Sequence, residues 1–177
     1  QEVKNITVSD GYKITELTDG SIIHSKAIVI ATGVAYRKLD VPGIENFTGK
    51  IVIDATNPIA AAPPVNGVLN YFTEMNLSLM EILQTHVPSA RFVKCWNSVG
   101  SAFMVNPDFG GQIPSMFICG NDDAAKAEVK SILTQFGWET CDMGKVEAAR
   151  AIEPLCMLWC IPGFLNGQWS HAFKLLK

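Results

Sequence analysis

The chain has 177 residues, a net charge of −3, and 18% charged against 48% hydrophobic residues. That balance excludes disorder along the whole chain. With no Lys/Arg run longer than two residues, it also argues against nucleic acid or an anionic membrane surface as a partner. The length suits one domain with a sizeable core.

The first 25 residues read as a meander. Residues 3–8 and 13–18 are short strands around Ser9-Asp10-Gly11, and Asp19-Gly20 turns the chain into a third strand, Ser21 to His24. Ala27-Ile28-Val29-Ile30-Ala31 differs. It is a continuous apolar run, the pattern of a strand buried on both faces, and it ends at Thr32-Gly33. Residues 39–50 read as loop. From Lys50 strands and helices alternate. Strand 50–54 leads into a Pro- and Ala-rich loop, 58–66, expected to pack on or over a site. Helix 74–86 ends at Pro88, and strand 91–95 and a short helix near Ser101 to Met104 follow. Strand 115–119 precedes a helix over 122–136, capped at Asn121-Asp122-Asp123, with Val129, Ile132, Leu133 and Phe136 on its buried stripe. Strand 138–142, a helix over 145–160 kinked or restarted at Pro154, and a last, less regular helix over 164–176 complete the chain. The fold class is α/β: a Rossmann-like three-layer sandwich with a mostly parallel sheet and an N-terminal antiparallel β-meander.

The longest apolar stretch, Leu155 to Leu165, is interrupted by Pro162 and Gly163 and reads as too short for a bilayer. The N-terminus has no signal-peptide pattern. No CxxC occurs among the five cysteines, which points to reduced, structural thiols and a cytoplasmic setting. Cys156 and Cys160 share a helical face, but no His or acidic partner completes a metal set, so no metal site is assigned. His24, His86 and His171 stand isolated and form no catalytic spacing with Ser or Asp. Arg150 and Glu153, three apart on a helix, read as a surface ion pair.

The candidate site comes from strand ends. In open α/β sheets ligands bind beyond the carboxyl ends of the strands. Val52-Ile53-Asp54-Ala55-Thr56-Asn57-Pro58 and Val93-Lys94-Cys95-Trp96-Asn97-Ser98 are apolar runs that close on small polar residues. Thr32, Gly33, Thr56, Asn57, Pro58, Asn97 and Ser98 are therefore the candidate cofactor-binding residues, expected to converge on one crevice. Each also has a plain structural reading, as a turn or a helix cap. No catalytic acid or base stands out.

Two resemblances follow. Gly49 to Pro58, Val93 to Gly100, Met116 to Asp122, Asp142-Met143-Gly144 and Ala148 to Leu155 occur in the order seen in NADPH-dependent coenzyme F420 reductases. These are deazaflavin-linked NADP oxidoreductases, whose fold also forms the reductase domain of six-transmembrane metalloreductases. Residues 50–177 resemble that family. Residues 1–49, with Leu17 to Ser21, Ala31-Thr32-Gly33 and Leu39 to Gly43, resemble a segment of thioredoxin-reductase-type flavoproteins. The chain thus reads as a chimeric or truncated product, divided at 1–49 and 50–177 but folded as one unit. The reductases' N-terminal GxGxxG unit is absent from the sequence.

The resemblance implies NADP(H) as cofactor, coenzyme F420 or a flavin as the second ring, and hydride transfer between them, for which the protein supplies orientation and a dry pocket. The alternative is a non-catalytic Rossmann-like domain that lacks the dinucleotide loop. The expected partner is a small molecule, with neither nucleic acid nor membrane involved, and a homodimer is compatible.

Overall fold

The computed structural model describes residues 3–9, 11–25, 29–30 and 44–177, with backbone only at Val29, Ile30, Ile44 and Glu45. The N-terminal strands β1 (Val3–Ser9), β2 (Tyr12–Leu17) and β3 (Ile22–Ser25) form the expected antiparallel meander. Strands β4 (Val29–Ile30), β5 (Ile51–Asp54) and β6 (Arg91–Lys94) form a parallel sheet in that order, with Ile53 opposite Val29 and Val93. Strands β7 (Ser115–Ile118) and β8 (Glu139–Asp142) form a second parallel pair. A single antiparallel bridge, Lys94 N–H to Cys119 O at 3.0 Å, joins β6 to the end of β7. The parallel ladder is therefore interrupted between β6 and β7, where one uninterrupted run of neighbours was expected.

Alternate residues of the central strands enter two separate cores, as the two-residue side-chain period of a strand requires. Ile53, Val93 and Cys95 pack with Met116, Ile118, Val129 and Leu133, the last two from α2 (Asp123–Gln135). Val52 and Phe92 pack with Met80 of α1 (Leu79–His86) and with Ala149 and Ile152 of α3 (Ala149–Asn166). Each fully buried Val, Ile, Leu, Met or Phe among them stabilises the fold by about 1.5–3 kcal/mol.

Helix α2 matches its expected span, and Asp122 caps it by accepting the Ala125 N–H. Helix α1 starts later than expected, at Leu79. Ser78 and Glu81 form a reciprocal capping box that fixes the start. The loop after β5 doubles back, with Ile59 opposite Tyr71 and Val65 opposite Val68, around Asn66-Gly67. Both turn residues have positive φ, 51° and 80°, the type I′ geometry that Asn-Gly favours.

The C-terminal region departs most from expectation. A 3-10 turn at Val146–Ala148 runs into α3, which continues unbroken through Pro154 and Pro162. These prolines remove the N–H groups that would bond the Arg150 and Leu158 carbonyls. Both of those residues are exposed, so water can satisfy the freed carbonyls. The helix does not restart at Pro154 or break at Pro162-Gly163. Residues 146–166 are in fact long and apolar enough to cross a membrane by length and composition. In this fold the helix buries Ala149, Ile152, Glu153, Cys156, Trp159 and Gly163 against the rest of the domain. The expected helix over 164–176 is also absent. Gly167 ends α3 in the left-handed conformation, φ 67°, and residues after it run back without regular structure. Trp169 then covers Gly163, where an added Cβ would lie 2.3 Å from the indole ring.

Candidate functional site

The carboxyl ends of β5 and β6 are held from below by a buried charge cluster. Lys94 Nζ lies 2.6 Å from Asp54 Oδ2 and 2.8 Å from Glu153 Oε1, with all three side chains at most 2% exposed. Burial alone works against the Lys94 charge. The two carboxylates outweigh it and hold the ammonium above the ordinary lysine range. Lys94 also donates to the Thr56 carbonyl at 2.9 Å. Asp54 Oδ1 accepts from the Thr56 N–H at 2.9 Å and from its hydroxyl at 2.6 Å. The turn that presents Asn57 is thus fixed from three directions.

Glu153 does a second job. Its carboxylate accepts the N–H groups of Leu79 and Met80, at 2.9 and 3.0 Å, at the positive end of α1. The surface pair expected between Arg150 and Glu153 is therefore not formed. Arg150 instead binds Glu81 through Nε and Nη2, and its guanidinium holds the Glu81 carboxyl down to about 2.

Above this cluster the two asparagines meet. Asn57 Nδ2 donates to the Asn97 carbonyl at 2.7 Å, and Asn97 Nδ2 donates to Asn57 Oδ1 at 3.0 Å. Asn97 Nδ2 also donates to the Ile152 carbonyl at 2.9 Å. Trp96, with φ 58°, turns the chain at the end of β6. A left-handed aromatic residue is a strained choice, and such strain clusters at binding sites. Asn97 Oδ1 is buried and finds no hydrogen-bond partner among the described residues. An unmatched buried acceptor costs about 1–3 kcal/mol.

The candidate residues are therefore placed as follows. Thr56, Asn57, Pro58, Asn97 and Ser98 come together at one end of the parallel sheet. Thr56, Pro58, Asn97 and Ser98 are buried and Asn57 is half-buried. Thr32 and Gly33 lie outside the described residues. Sequence reasoning missed Lys94 and Glu153. The available signal was a lysine inside the apolar run Arg91-Phe92-Val93-Lys94-Cys95-Trp96, a position where an unpaired charge is not tolerated.

A dinucleotide needs more than ring contacts. Its diphosphate is ordinarily held by free N–H groups at a helix N-terminus. Here those of α1 go to Glu153 and to Ser78, and Ala125 of α2 bonds Asp122. Among the described residues, the first N–H groups of α1 and the capped N–H of α2 are thus not free for a diphosphate. The groove bounded by Gln84, Ser89, Arg91, Asn121 and Asp122 lies at the opposite, amino end of β6. Its Gln84 amide, Asn121 and Asp122 are engaged with backbone groups.

No family model matches the chain. A solved structure of a putative F420-dependent NADP reductase from Arthrobacter sp. FB24 superposes with a TM-score of 0.72 at 33% identity, covering 78% of this chain and 63% of that one. The metalloreductase STEAP3 of Rattus norvegicus is 28% identical over 126 residues, 68% of this chain. The chain spans about a quarter of that relative, 24% of its length. Over 78% of its length, then, this chain resembles a putative F420-dependent NADP reductase in both sequence and fold.

Proposed function

We propose that the chain is a Rossmann-like three-layer domain of the NADP-linked oxidoreductase type, in which the strand-end asparagines orient a small-molecule redox ring. The observation that carries this reading is the unmatched Asn97 Oδ1 beside the Asn57–Asn97 pair. It would accept an amide or imide N–H from nicotinamide, a deazaflavin such as F420, or a flavin. The bound ring supplies the hydride chemistry. Asn57 and Asn97 set its orientation, and Pro58, Trp96 and Ser98, all buried, exclude water from its edge.

The second reading is a chimeric, non-catalytic domain, joined near Gly49-Lys50 and lacking the dinucleotide loop. A specific observation favours keeping it: Glu153 occupies the α1 N-terminus where a phosphate would otherwise be received.

Calorimetric titration of the chain with FMN, F420 and NADPH separates the two. The first reading expects saturable binding of FMN or F420, with NADPH weaker than low-micromolar. Absence of binding by all three would leave the non-catalytic domain as the answer.

A further inference from the structure

The hairpin tip in the loop after β5 carries chemistry that the strand-end site does not use. Asparagine is a chemically labile residue. It is most labile before glycine, whose missing Cβ leaves the backbone nitrogen open to attack the side-chain amide. The chain holds two Asn-Gly pairs, Asn66-Gly67 and Asn166-Gly167, and folds them differently. Asn66 and Gly67 are the central residues of a two-residue turn, closed by reciprocal Val65–Val68 bonds of 3.0 Å. Asn66 is exposed, and neither its amide nor the Gly67 N–H has a hydrogen-bond partner among the described residues. Asn166 is the last residue of α3, and the Gly167 N–H is held by the Gly163 carbonyl at 2.9 Å. A third candidate, Asn97-Ser98, is buried, and its Asn97 amide donates to Asn57 and to the Ile152 carbonyl. Opening the tip breaks only the two Val65–Val68 bonds and releases Asn66 from the left-handed region, which a residue with a Cβ holds at a cost.

We propose that Asn66-Gly67 is a site of spontaneous covalent modification, at which the folded chain deamidates while Asn166-Gly167 and Asn97-Ser98 are spared. The Gly67 nitrogen attacks Asn66 Cγ and closes a five-membered succinimide. The proton it gives up returns through solvent to the side-chain nitrogen, which leaves as ammonia. Water then adds to one of the two imide carbonyls, and ring opening yields aspartate or isoaspartate at position 66. The product carries a new carboxylate and, as isoaspartate, an extra backbone carbon. Both enter where the tip packs on α3: a Cβ on Gly67 would lie 3.0 Å from Leu165 Cγ and 3.4 Å from the Ile161 carbonyl oxygen. Val65 and Val68 flank the new charge with exposed apolar surface. Modification therefore loosens the tip from the helix.

The test incubates the full chain in mildly alkaline buffer, digests it in acid and follows the peptides by mass. The peptide holding position 66 should gain the mass of OH in place of NH2 and become a methyl acceptor for an isoaspartyl methyltransferase, while the peptide holding position 166 stays unchanged. In urea the preference should collapse, because the Gly167 N–H is then released. Asn66→Ser should abolish the early ammonia release, and Asn166→Ser should leave it intact. Hydrogen exchange at the Val65 and Val68 amides should be faster in the aged chain than in the fresh one. Equal reaction at 66 and 166 in the folded chain, a preference for 66 that survives in urea, ammonia release unchanged in Asn66→Ser, or unaltered exchange at Val65 and Val68 would each overturn the proposal.

Discussion

Lys94, the last residue of β6, and Glu153, in the second turn of α3, lie 2.8 Å apart with both side chains removed from water. Glu153 spends its remaining capacity on the first N–H groups of α1, and Lys94 spends its own on Asp54 and Thr56. One buried pair therefore ties together β6, the β5 turn, α1 and α3, the four elements around the asparagines.

Removing Lys94 leaves two buried carboxylates without a cation. Lys94→Met is expected to cost about 3–5 kcal/mol in urea unfolding. Adding Glu153→Gln removes one of those stranded charges, so the double variant should lose less than the sum of the singles. Strict additivity would show that the cluster is not coupled.

Glu81 contributes a smaller, pH-dependent increment. Arg150 holds its carboxyl down to about 2 from an ordinary 4.5. A carboxyl with a depressed folded-state pKa stabilises the fold above its unfolded value and loses that contribution as pH falls towards the folded one. Arg150 is 39% exposed, so solvent screening keeps the contribution of the pair small. Urea midpoints measured from pH 5 down to pH 2 should fall less steeply in Glu81→Gln than in the parent chain, and equal slopes would contradict the assignment.

Thiol chemistry should be ordered by environment. Burial pushes the Cys119 thiol up to about 12 and raises Cys95 well above its usual range, whereas the Cys156 bond lowers Cys160. Iodoacetamide at neutral pH, followed by peptide mass, should modify Cys160 first and Cys95 and Cys119 last.

Gly163 admits Trp169. Any side chain there meets the indole at 2.3 Å, so Gly163→Ala should displace the ring and cost about 1–3 kcal/mol, as overpacking does. Near-UV circular dichroism should change with it, because Trp169 also packs on Trp159 and Phe164.

Much of this was legible in the residues. The apolar runs at 51–54, 91–95 and 115–119 are strands, and the Asp122 cap with its stripe gives α2 almost to the residue. Asn57 and Asn97 meet because parallel neighbours end on one edge. What stayed hidden depended on tertiary contacts. The start of α1 was encoded in the Ser78-to-Glu81 capping box, but the hydrophobic pattern alone placed it earlier. The prolines of α3 looked like breaks, because their missing N–H groups matter less on a helix face whose carbonyls reach water. Glu153 read as a surface charge, because its partners lie on β6 and α1, far away in the chain.

The most direct test follows the side-chain amides of Asn57 and Asn97 by 15N NMR during titration with FMN or F420. If the strand ends orient a ring, both amide signals should shift along the binding isotherm, while NADPH at equal concentration should move them less. A ring ligand that binds without disturbing either amide, or tight NADPH binding in the low-micromolar range, would contradict the proposed site.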